Sequence, residues 1–211
     1  DREIKVDDFY DNNKEVKIIL NPIKSPWENV ESYYTRAKKI KNSVDYAKRD
    51  LPKQKDYISY LESLNDFINR SKSIEDLEEI KEEMEENNLI KKQGKKKRKN
   101  KKSKPMHFKT NNGSDIYVGK NSKQNDYITL KMANKDDLWF HVKNLPGSHV
   151  ILRSDNINER DVEIAAYLAA RNSSLSKEKK IDVDYTQKKN VNKAKGAKPG
   201  MVYYEDFKTI S

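Results

Sequence analysis

The 211-residue chain carries 44 Lys and Arg against 34 Asp and Glu, a net charge of +10, and it has no cysteine. That excludes a disulfide scaffold, a Cys-ligated zinc site and a thiol enzyme, and the lack of a long apolar run argues against a membrane span and for a cytoplasmic protein. At 34% hydrophobic and 37% charged, the chain is too polar for one core of this length, which predicts an extended helical part beside a smaller globular one.

Residues 3–7 and 15–20 alternate apolar and polar with period two, and Asp11, Asn12 and Asn13 between them supply turn chemistry, so a small β-hairpin is expected. Ser25, Pro26 and Glu28 then read as a capping box with proline at the first helical position. From there Val30, Tyr33, Ala37, Ile40, Val44, Ala47 and Leu51, then Ile58, Leu61 and Ile68, recur in steps of three and four, with polar Gln54 and Asn65 on the same stripe. This spacing predicts a coiled-coil seam. Pro52 costs an ordinary helix about 3 kcal/mol, yet the seam keeps its phase across it. One kinked helix is therefore expected in preference to a two-helix hairpin turning there. Ser73 with Asp76 opens a further helix, with Ile74, Leu77, Ile80 and Met84 on one stripe, a strongly acidic opposite face, and an end near Asn87 and Asn88.

Residues 91–104 hold ten basic side chains and no acid, so the net charge of the whole chain resides in fourteen positions. With no apolar period and strong self-repulsion, this run reads as an extended linker. Beyond it the pattern changes to short strands at 116–118, 127–131, 138–142 and 149–152, with turns at Asn112-Gly113 and Pro146-Gly147. Asn158 caps a helix to about Arg171 whose Ala165, Ala166 and Ala169 permit close packing on a sheet, and strands follow at 181–185 and 202–204. The expected fold class is α+β: a long-helix coiled-coil region with a β-hairpin tip over 1–90, a basic linker over 91–104, and a compact α/β domain over 105–211.

Period-two alternation in 138–143 sets Trp139, His141 and Lys143 on the face opposite Phe140 and Val142. An indole, an imidazole and an ammonium side by side suit stacking on bases and contact with phosphate, whereas a half-buried Trp with a satisfied His is the plainer alternative. The Pro146-Gly147-Ser148-His149 turn could present backbone N–H groups to an anion, and Lys193, Lys195 and Lys198, interleaved with Gly196 and Gly200, form a strip suited to following phosphates. Asn121, Gln124, Asn125 and Asp126 form a dense hydrogen-bonding cluster that either reads a ligand or closes its own loop. No recognisable catalytic, P-loop or metal-ligand spacing is present, so neither catalysis nor a cofactor is expected.

The ordered stretches IYVGKNSKQNDYITLKMA, DDLWFHVKNLPGSHVIL, VDYT and KGAKPGMVYY resemble the NFACT-R domain of the NFACT family over residues 105–211, and NPIKSPWENVESYYTRAKKIKNSV resembles that family's middle coiled coil. The resemblance places the family's QND motif on Gln124, Asn125 and Asp126, WFH on Trp139, Phe140 and His141, PGSH on Pro146 to His149, and KGAKPG on Lys195 to Gly200. Ser122 stands where the family usually has Asn, and Ala194 where it usually has Pro. Bacterial family members, some of them labelled fibronectin-binding proteins, are ribosome quality control factors. They bind obstructed large ribosomal subunits and tRNA, and extend the stalled chain with untemplated alanine. The resemblance thus implies the large subunit, at its stalk base, and tRNA, in particular alanine tRNA, as partners. Taken with the residue patterns above, it places RNA contact at Asn121, Gln124, Asn125 and Asp126, at Trp139, His141 and Lys143, at Ser148 and His149, and at Lys193, Lys195 and Lys198. It further implies that this chain, beginning at Asp1 and not at Met, is the C-terminal part of a longer protein. The helix that would pair with the seam then precedes residue 1, and self-association through that seam is expected. A surface adhesin that binds fibronectin is the rival reading.

Overall fold

The computed structural model describes residues 2–92, 103–175, 178 and 180–211. Most of the expected basic linker, residues 93–102, lies outside them. The chain divides into two compact units, Asp1–Gln54 and Lys55–Ser211.

In the first unit, strands β1 (Glu3–Asp8) and β2 (Lys14–Ile19) pair antiparallel with Val6 opposite Val16, as the alternation predicted. Asn12 and Asn13 take positive φ in the turn between them, a conformation Asn tolerates better than most residues. Helix α1 (Pro26–Arg70) opens on the expected capping box: Ser25 Oγ accepts from the Glu28 N–H at 3.3 Å, and the Glu28 carboxylate accepts from the Ser25 N–H at 2.7 Å. Buried Asn29 ties the incoming loop to the helix, accepting from the Asn21 N–H at 2.7 Å and donating to the carbonyls of Asn21 and Lys24. The helix runs through Pro52 without a break, which rules out a hairpin turning there. Val30, Tyr33, Ile40, Val44 and Leu51 on the expected seam are all exposed.

In the second unit the end of α1 packs on α2 (Ile74–Glu86), which Ser73 caps by accepting from the Asp76 N–H. Ile80 and Met84 of the expected α2 stripe are in the core, whereas the buried face of α1 differs from the expected seam. Tyr60, Leu64, Phe67 and Ile80 form a core joined by Met84, Leu89 and Met201, whereas Ile58, Leu61, Ile68, Ile74 and Leu77 stay exposed. Apolar spacing misplaced this face because its anchor is partly polar. Tyr60 donates to the fully buried Glu83 at 2.9 Å, and a Tyr–Glu pair in sequence reads as solvent-facing.

The rest of the unit comprises β3 (Met106–Lys109), β4 (Asp115–Val118), α3 (Ser122–Asp126), β5 (Leu138–Val142), β6 (Val150–Arg153), α4 (Glu159–Arg171), β7 (Val183–Gln187), β8 (Val191–Asn192), β9 (Tyr203–Tyr204) and β10 (Lys208–Ile210). Six strands form an antiparallel sheet in the order β10-β7-β5-β6-β4-β3, and β8 with β9 make a separate ribbon. Asn158 caps α4 as expected, and Ala165, Ala166 and Ala169 bring the helix onto Ile116, Val118, Phe140, Val142, Val150 and Leu152. The opposite face of the sheet carries a second core of Ile128, Trp139, Ile151 and Val191. Residues 127–131, expected as a strand, are helical instead. Asn121 caps α3, and the helix widens into π-helical turns over Tyr127–Met132, with the Ala133 N–H reaching the Ile128 carbonyl. A short alternating run cannot reveal such a cap upstream of it, and here the cap prevailed.

Candidate nucleic-acid interface

Strand β5 lies inside the sheet with β6 and β7 paired along its two edges, and each of its faces contributes to a core. Phe140 and Val142 face α4, while Trp139 points into the second core and has no exposed surface. Its indole packs against His141 with ring centroids 5.7 Å apart, against Tyr204 at 4.8 Å, and meets His149 edge-on at 5.2 Å. Trp139 Nε1 is buried with no hydrogen-bond partner among the described residues. The open stacking face expected of Trp139, His141 and Lys143 is therefore divided: Trp139 is enclosed, His141 is half-buried and Lys143 is exposed. The layer responsible is made of the π-helical turns and the β8–β9 ribbon, and nothing in the sequence signalled that these segments fold over Trp139.

The QND cluster turns inward and holds neighbouring loops. Asn125 donates from Nδ2 to the Gly147 carbonyl at 3.3 Å and accepts from the His149 N–H at 3.0 Å, which fastens the PGSH turn from both sides. Gly119 lets Asn125 come this close, since a Cβ there would lie 2.2 Å from Asn125 Oδ1. Asp126 pairs with Lys193 and accepts from the Gly200 N–H at 3.0 Å, so it holds the KGAKPG loop. Gly200 has φ +77, and a Cβ on it would press on Ser122.

Asn121 and Gln124 meet the acidic face of α2. Asn121 Nδ2 donates to Glu79 at 2.7 Å, Gln124 Nε2 donates to Glu79 at 3.2 Å and to Ser103 Oγ at 2.7 Å, and Lys120 pairs with Asp76 at 2.7 Å. Carboxylates of the strongly acidic helix face are thus partners of residues expected to contact RNA.

Ser148 is fully buried with its hydroxyl unpartnered among the described residues. His149 is also buried, its Nδ1 2.8 Å from the Thr129 hydroxyl. Burial, with repulsion from His141, holds the His149 pKa well below the usual imidazole range, and burial pushes His141 down to about 4. Both rings are neutral at pH 7. Of the lysine strip, Lys193 is paired, Lys198 donates to Asn87 at 3.0 Å over the Tyr60 ring, and Lys195 is exposed.

WFH, PGSH, QND and KPG converge on one cavity of about 390 Å³, whose lining includes Asn125, Trp139, His141, Gly147, His149 and Gly200. Tyr204 on β9 and Ser63 and Phe67 on α1 line it as well. Tyr204 stood in the sequence inside the KGAKPGMVYY stretch, whereas nothing linked α1 to this site. Burial and a hydrogen bond to Asp184 at 2.8 Å raise the Tyr204 pKa, so its hydroxyl keeps its proton. Among the described residues, no cluster of three His, Asp or Glu side chains could hold a metal ion, and no helix is long and apolar enough to cross a membrane.

A two-part α+β protein whose second unit carries this cavity matches two adjoining family profiles: NFACT N-terminal and middle domains over residues 1–103, and NFACT protein RNA binding domain over residues 104–206. The chain belongs to the NFACT family. It is 37% identical over its full length to the Bacillus subtilis (strain 168) protein named Rqc2 homolog RqcH, and 34% identical over 99% of its length to the protein of the same name from Streptococcus pneumoniae serotype 2. It spans 37% and 38% of those curated relatives. Among solved structures it resembles the C-terminal part of the fibronectin/fibrinogen-binding protein from Streptococcus suis, with TM-score 0.79 and 34% identity over 90% of this chain and 76% of that one.

Proposed function

We propose that the chain is the RNA-binding, C-terminal part of a ribosome quality control factor, which engages obstructed large ribosomal subunits and tRNA in the cytoplasm and supports alanine tailing of stalled chains without catalysing a reaction of its own. The observation that carries this reading is the convergence of the RNA-binding-domain motifs on one cavity with exposed Lys143 and Lys195 close by in sequence. In this reading the long helix serves as a coiled-coil arm, and the hairpin, where Phe9 and Tyr10 are exposed, belongs to the tip that reaches the stalk base.

The test is binding of the chain to purified large subunits, to alanine tRNA and to other tRNAs across a salt series, beside a variant lacking residues 91–104. Saturable binding that survives the deletion and weakens with salt supports recognition by the folded part, because each phosphate contact releases counterions. Binding lost with the basic run leaves only a polycation attracted to RNA and overturns the reading. A second reading follows from the name of the Streptococcus suis relative, a fibronectin/fibrinogen-binding protein. Saturable binding to fibronectin, with no affinity for RNA, would favour it.

A further inference from the structure

The cavity on the second unit is built for an uncharged ring rather than for a phosphate. No Lys or Arg lines it among the described residues, and its charged lining residue is an acid, Glu62. A phosphate inside would meet this carboxylate without a neutralising partner, at a high cost in desolvation. The remaining surface suits a flat polar heterocycle: His141 and Tyr204 offer ring faces and edges, Pro146 and Met201 add apolar contact, and Asn144 adds amide groups. His141 is half-buried, and its ring stacks on Trp139 on one side. Trp139 also lines the cavity, and its Nε1 is a buried donor without a partner among the described residues. At about 390 Å³ the cavity lies near the lower end of the roughly 300–1,000 Å³ typical of ligand sites, room for one ring system with its substituents. Cations stand beside it along the chain: Lys143 precedes the lining residue Asn144, and Lys198 precedes Pro199.

We propose that this cavity receives a single unpaired nucleobase of the bound RNA, stacked against His141, while the flanking phosphates stay outside with the exposed lysines. Single-stranded RNA is commonly read in this way, with bases turned out of the strand onto aromatic or imidazole rings. The inference rests on the RNA-binding reading, and a comparison of two oligomers separates the two. The whole chain is titrated with a short single-stranded RNA and with an abasic oligomer carrying the same number of phosphates. The intact RNA is expected to bind about tenfold more tightly, the order of one base stack. Ser63→Phe, placed on α1 to fill the cavity mouth, should remove that advantage while leaving the salt dependence unchanged, because the phosphate contacts persist. Equal affinity for the two oligomers would overturn the proposal and leave RNA binding standing, and it requires no variant to fold. If neither oligomer binds, the RNA-binding reading falls and this one with it.

Discussion

His141 and His149 show how a residue type that suggests catalysis or a charge switch becomes a neutral structural group. Both pKa values lie below the unfolded value of 6.5, with His141 at about 4, so the unfolded chain binds more protons than the folded one below pH 6.5. Stability should accordingly fall as pH drops from about 6.5 towards 4. Urea titrations at pH 7 and pH 5 check the sign, and His141→Gln should flatten this dependence, since one group no longer resists protonation. Trp139 makes a second case. Trp139→Ala should lower stability by about 3–5 kcal/mol through the cavity it leaves, whereas Trp139→Phe should cost much less, because the deleted N–H had no partner to lose. Chemical denaturation of the two variants measures the difference.

Helix α2 is the element whose role changed most between sequence and structure. Its Asp76 and Glu79 hold Lys120, Asn121 and Gln124, so its acidic face docks rather than faces solvent. Glu79→Ala strands the Asn121 amide and removes one of the partners of Gln124 Nε2, and should cost about 1.5–3 kcal/mol, read as a fall in Tm. Glu83 behaves in the opposite sense. Burial raises its pKa above the ordinary 4.5, so the folded state holds the proton more tightly and stability decreases as pH rises through the folded pKa. Glu83→Gln keeps a partner for Tyr60 without the charge, and should raise Tm at pH 7 more than at pH 4. Thermal melts at the two pH values check this.

For the molecule as a whole, Val30, Tyr33, Ile40, Val44 and Leu51 leave an apolar stripe exposed along α1. An apolar seam without a partner favours association. The chain should sediment as a concentration-dependent oligomer, and Ile40→Lys with Val44→Glu should make it monomeric. A wild-type monomer at high concentration in the ultracentrifuge would count against pairing through this seam.

Elements whose signals are local could be read from the chain: the hairpin at 3–20, the Ser25, Ser73 and Asn158 caps and the α4 alanine face all stand as the residues implied, since each depends on neighbours within a few positions. The motif positions at the cavity were legible too, as a resemblance. Their roles were not. Asn125 and Asp126 hold loops 22 and 74 residues away, Glu79 reaches Asn121 across 42, and Tyr60 reaches Glu83 across 23. Pairing across such distances depends on which layers come together, and a polar residue that is buried and partnered looks in sequence the same as one in water. For the same reason Trp139 could be placed on a strand face but not assigned to core or surface. That depended on the π-helical turns and the β8–β9 ribbon folding over it, a meeting of separate segments that no local period encodes.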